Sequence, residues 1–134
     1  MHSDMLEFID LLYRHCTRLY PSNFLTFTAI HPDGQHPTPS RHILLNDRIA
    51  LLDALQRLSD TNEMGWGAYF AVGLRQPGLT RWKRGGATDV VALPAFFADI
   101  DHPTNAMLTK LRTTLLQPSI FAHSGGGWVR RMAA

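Results

Sequence analysis

Cysteine is nearly absent from this 134-residue chain. Cys16 stands alone, which excludes an internal disulfide and any multi-cysteine zinc site and points to a reducing, cytoplasmic setting. Charge is sparse too: charged residues make up 18% of the chain and the formal net charge is +2. Overall charge therefore demands no polyanionic partner, and any such argument rests on local clusters. No apolar run reaches the ~18 residues of a membrane span, and no basic segment followed by a hydrophobic one opens the chain. A soluble, intracellular protein without a membrane partner is expected. The glycines after His123 have no Gly-x-Ser-x-Gly nucleophile turn to accompany them, which sets an esterase aside. No His-x-His pair supports rolling-circle nicking, and the seven histidines form no recognisable zinc arrangement.

What is present is a 45% apolar composition, enough for one core and one domain. Apolar residues at Leu6, Phe8, Ile9, Leu12, Tyr13, Cys16 and Leu19 recur at three- and four-residue intervals, predicting a helix from Asp4 to Leu19 that Pro21 ends and that packs Cys16 into the core. A half-buried strand follows over Phe24–Ile30, then a proline-rich loop and a short strand over Ser40–Leu44. Asn46 is a good N-cap for a helix through Ile49, Leu51, Leu52, Leu55 and Leu58 to about Thr61. The nearly continuous apolar run Trp66–Leu74 suits a strand covered on both faces. After a short element of open type over Val90–Leu93, Phe96–Asp101 reads as a buried strand, Pro103 opens a helix through Leu108, Leu111 and Leu115, and Ser119–His123 makes a last strand. Strands alternating with helices give an α/β (α+β) class, a mixed sheet flanked by helices.

Side chains two apart on a strand share a face, so Asp99 and Asp101 project together while Ile100 points into the opposite layer. Two carboxylates aimed at one place repel, and a hard divalent cation removes the repulsion. The plainer account has Asp101 helping to cap the next helix and Asp99 solvated. The Gly125-Gly126-Gly127 run after Ser124 could aim N–H groups at a phosphate, or be an ordinary hairpin turn. Arg81, Lys83 and Arg84 around Trp82 combine phosphate-attracting charge with a stacking surface, and Arg75 could reach the same cleft; a solvated basic loop is the alternative. His31 and His36 flank a turn and could bind a transition metal or be simple surface histidines. His102, beside Asp101, could contact metal or substrate, or be a helix-start residue.

Three segments, Gly65–Arg75, Arg84–Asp101 and His123–Trp128, taken in order, resemble the archaeo-eukaryotic primase superfamily. More narrowly, the chain is similar to the primase-polymerase domains at the N-termini of phage, prophage and plasmid replication proteins, over about 40–128. The resemblance implies that Asp99 and Asp101 hold catalytic magnesium or manganese, and that Ser124 with Gly125, Gly126 and Gly127 contacts the phosphates of nucleoside triphosphates. It also implies a single-stranded DNA template and a helicase partner. Two departures stand out: Val129 occupies the position of the family's phosphate-binding histidine, and Arg130-Arg131-Met132-Ala133-Ala134 does not continue the family's returning strand or reach its third metal aspartate. The expectation is an incomplete, C-terminally truncated primase-like catalytic domain, inactive alone, with an unpartnered return strand. The alternatives are a non-catalytic single-stranded nucleic-acid-binding remnant and a decayed prophage fragment.

Overall fold

The computed structural model describes residues 2–100, 102–115, 117–124 and 127–132, with the side chains at 2–3, 121–124 and 127–132 outside the description. The chain divides into two compact units, Met1–Pro94 and Ala95–Ala134.

The first unit runs α1 (His2–Leu12), α2 (Cys16–Leu19), β1 (Phe24–Ile30), β2 (Ser40–Leu44), α3 (Arg48–Glu63), β3 (Gly67–Arg75), a short 3-10 turn at Ala87–Asp89 and β4 (Val90–Ala92). Its four strands lie in the order β2-β1-β3-β4, each pair antiparallel. The α+β class stands, but the expected mixed sheet does not, because every strand pair among the described residues is antiparallel. The single helix expected over Asp4–Leu19 is two helices separated by a turn in which the Tyr13 carbonyl accepts from the N–H groups of Cys16 and Thr17. The apolar periodicity carries across that break, so Ile9, Leu12, Tyr13 and Cys16 are all buried although the helix is interrupted.

Helix α3 packs on α1 and on β1, β2 and β3. Its N-cap is Asp47, whose carboxylate accepts from the Ala50 N–H at 3.0 Å, one residue later than the expected Asn46. Leu51, Ala54, Leu55 and Leu58 face the core, while Ile49 and Leu52 are exposed. A 16-residue helix has more apolar positions than one buried stripe accommodates. Burying each leucine contributes about 1.5–3 kcal/mol. Tyr13, also buried, donates its hydroxyl to the Val72 carbonyl at 2.7 Å and so ties the first helix to β3. Strand β3 is buried only toward Arg75, and Tyr69 near its start is exposed, so the expected cover on both faces is missing.

In the second unit β5 (Phe96–Ile100) leads to α4 (Asn105–Thr113), β6 (Ile120–Ser124) and β7 (Gly127–Met132), and the strand order is β5-β7-β6. Strand β7 is central. It pairs antiparallel with β6 from Ser124 opposite Gly127 to Ile120 opposite Arg131, and with β5 from Ile100 opposite Trp128 to Phe96 opposite Met132. This corrects the expected unpartnered return strand, since Arg130 and Arg131 pair on both sides and Met132 pairs with Phe96. Helix α4 starts two residues after Pro103, capped by the Thr104 hydroxyl accepting from the Met107 N–H at 3.2 Å. The expectation of a buried β5 fails as well: Phe96 is 69% and Phe97 51% exposed, and α4 buries none of its own residues. Among the described residues no helix is long and apolar enough to cross a membrane.

Candidate functional site

The basic loop of the first unit is held by three devices that the sequence pattern does not display. The Ser40 N–H of β2 donates to the Arg81 carbonyl at 2.7 Å. His42, also on β2, has Nε2 within 3.1 Å of the Thr80 carbonyl and 2.9 Å of the Lys83 carbonyl, while Nδ1 lies 2.7 Å from the Thr26 hydroxyl. Two carbonyl acceptors around Nε2 require its proton there, which leaves Nδ1 to accept from Thr26. His42 thus braces the loop against β1. Arg75 supplies the third device: it is buried, and its guanidinium donates to the Gly73 carbonyl at 2.6 Å and the Arg84 carbonyl at 3.3 Å. Gly85 packs against it in a left-handed conformation, φ +88°, and a Cβ there would come within 3.2 Å of the Arg75 side chain. Arg75 therefore anchors the loop from beneath, whereas Arg81, Trp82, Lys83 and Arg84 are exposed on it. The Arg81 guanidinium lies 5.1 Å from the Trp82 ring centroid, within cation–π range.

Asp89 closes the far end of this loop. It accepts from the Gly86 N–H at 2.9 Å and from the Gln76 side-chain amide at 2.8 Å. Those two hydrogen bonds, with Arg75 and Lys83 adding positive potential, hold its carboxyl below the usual range.

Arg81 also lines an open cleft of about 190 Å³ between α3 and the sheet, with Arg41 of β2 and Arg57 of α3. Phe27, Leu58 and Trp66 supply apolar walls. Asp53 offsets part of the charge, lying 2.9 Å from Arg57 Nε and 4.0 Å from Arg41 Nη1. Three guanidiniums against one carboxylate leave the cleft cationic. Its volume is below the roughly 300 Å³ of pockets that enclose whole ligands, and suits a single phosphate or base. Neither Arg41 nor Arg57 was legible as a site residue, because they meet only through strand register and the placement of α3.

Beside this cleft, the β1–β2 loop brings His31, Asp33 and His36 together, with both imidazoles edge-on to Trp66 at 4.9 and 5.4 Å between centroids. The Gln35 N–H first, then His36 and His31, hold the Asp33 carboxyl well below the usual carboxylate range.

In the second unit, Asp99 is exposed near the end of β5, opposite Val129, which is itself opposite Ala122. Ile100 is opposite Trp128 and Trp128 opposite His123, one residue before Ser124. The backbone of Asp99 and the hairpin that joins Ser124 to Gly127 therefore occupy the same end of the sheet. Asp101, Gly125 and Gly126 lie outside the described residues. His102, three residues after Asp99, has φ +53°, and among the described residues it alone of the non-glycines is left-handed. Such conformations concentrate at functional sites.

No protein-family model, curated protein or solved structure matches this chain. The chemistry of its residues and their placement within each unit carry the functional argument.

Proposed function

We propose that the chain is a primase-polymerase-type module in which Asp99 and Asp101 hold magnesium or manganese and the turn after Ser124 takes the phosphates of a nucleoside triphosphate. The observation that supports this most is the strand register that puts the Asp99 end of β5 and the Ser124–Gly127 hairpin at one end of one sheet. The fit to a hard cation rests on donor type and access, since Asp99 is an exposed carboxylate residue. A divalent ion bound there supplies the charge neutralisation that phosphoryl transfer needs. Asp99 and Asp101 hold that charge at the strand end, and the glycine-rich sequence at 125–127 permits close approach of a phosphate to backbone N–H groups. Val129, whose side chain offers no polar hydrogen and no positive charge, lacks the phosphate contact that the resemblance implies at its position, which weakens nucleotide binding and disfavours synthesis by this chain alone. A single-stranded DNA template and a helicase complete the reading.

The test is manganese-dependent binding of a fluorescent nucleoside triphosphate. Binding that needs the metal and disappears in Asp99→Ala/Asp101→Ala is expected; equal binding by the double variant sinks the assignment.

The arginine cleft favours a second reading, a non-catalytic binder of single-stranded nucleic acid using Arg41, Arg57 and Arg81 with Trp82, Lys83 and Arg84 around them. Replacing the three cleft arginines by glutamine is expected to lower the salt slope of oligonucleotide binding by about 2, at roughly 0.7 per phosphate contact. An unchanged slope would remove the cleft from the binding surface. A decayed fragment binds neither nucleotide nor oligonucleotide.

A further inference from the structure

We propose that His31, Asp33 and His36 form a binding site for a first-row divalent transition metal ion of the zinc class. The three side chains come from six consecutive residues after β1, and their donor atoms lie within 4.8 Å of one another. His31 Nδ1 is 2.7 Å and His36 Nδ1 3.0 Å from the same oxygen, Asp33 Oδ1. The loop is shaped to produce that convergence. Gly34, left-handed at φ +69°, turns the chain, its N–H donates to the His31 carbonyl at 3.1 Å, and the Gln35 N–H fixes Asp33 Oδ1 at 2.9 Å. The two imidazoles stack 3.9 Å apart with a 31° tilt and are steadied by the Trp66 edge contacts.

His31 Nδ1 faces both the Asp33 N–H, at 3.2 Å, and the Asp33 carboxylate, at 2.7 Å. The shorter contact is satisfied by a proton on Nδ1. A metal ion on the same nitrogen takes that proton's place against the carboxylate, so binding releases a proton.

Two imidazole nitrogens and one carboxylate oxygen match zinc, nickel, cobalt or ferrous iron, and are the wrong donors for magnesium, which takes oxygen and water. Donors about 2.0–2.2 Å from a tetrahedral ion sit roughly 3.4 Å apart, so the observed spacings must open by about half an ångström. A loop whose three side chains are 29%, 42% and 48% exposed can make that adjustment and leaves an entry path and further positions for water. The site is independent of Asp99 and Asp101.

Calorimetric titration of the full chain with zinc chloride near neutral pH tests this, repeated on His36→Ala, Asp33→Asn, His31→Ala/His36→Ala and Asp99→Ala/Asp101→Ala. With excess magnesium present to occupy the carboxylate end, one zinc per chain is expected, weakened about tenfold or more by either single change in the loop and abolished in the double histidine variant. Excess magnesium and the Asp99→Ala/Asp101→Ala change should leave it unaltered. No heat of binding in the unmodified chain, or zinc affinity retained by the double histidine variant, overturns the proposal. Because the histidines pack on Trp66, the unmodified chain supplies a second measurement: zinc should move the imidazole NMR signals of His31 and His36. Shifts confined to other histidines also overturn it.

Discussion

The two units use the same device, an antiparallel sheet with helical segments, but hold it together differently. In the first, Leu25, Leu55 and Leu74 are fully buried and polar groups are placed inside with partners: the Thr28 and Ser40 hydroxyls, directly opposite across β1 and β2, hydrogen-bond at 2.8 Å. In the second, none of the residues with described side chains is buried, and the sheet is held by backbone pairing on both sides of β7. The difference separates two tasks. A packed core fixes side chains such as His42 and Arg75 and so builds a shaped, cationic surface. A backbone ladder fixes register, which is enough to bring one strand end next to one hairpin but leaves Asp99 exposed to solvent.

The sharpest way to break this comparison is to empty the core. Leu55→Ala is expected to cost about 2–5 kcal/mol, measured by urea unfolding, and to abolish the cooperative transition of the first unit. A smaller loss, about 1–2 kcal/mol, is expected for Tyr13→Phe, because the Val72 carbonyl loses its buried donor. At the loop, Asp89 contributes through a depressed folded-state pKa. Its stabilisation is present above the ordinary carboxyl value of about 3.9 and is lost as pH falls through the lower folded value. Asp89→Asn should therefore narrow its stability gap to the unmodified chain as the pH drops below about 4, in thermal melts across that range. The smallest effect is expected in the second unit, where Phe97→Ser should change stability by less than about 0.5 kcal/mol. A cost comparable to Leu55→Ala would show that Phe97 is buried and erase the contrast.

Much of the first unit was legible because its signals are local. The strand at Phe24–Ile30 and the one at Ser40–Leu44 follow from β-branched and aromatic residues between turn-formers, and both form with those boundaries. Periodicity identified Cys16 as a core residue, and burial raises its thiol pKa. It could not reveal the turn at Tyr13–His15, since the apolar stripe continues through it. Apolar composition misled over Phe96 and Phe97, because a run of large side chains says nothing of whether another layer is there to cover it. For the candidate sites, Arg81–Arg84 was visible as a basic cluster, yet Arg41 and Arg57 join it only through tertiary packing. Arg75 was visible as a charge but not as an anchor. The sequence shows His31 and His36 flanking a turn, while Asp33 between them completes the group only once Gly34 folds the loop.

The most direct measurement is residue-resolved: amide NMR spectra of the full chain titrated with manganese, whose unpaired electrons broaden signals near the ion. Binding at the carboxylate end predicts loss of the Asp99, Ile100 and Ser124 amide signals first, and recovery of all three in Asp99→Ala/Asp101→Ala. Broadening that spares those amides, or that persists unchanged in the double variant, would contradict a metal site at Asp99 and Asp101.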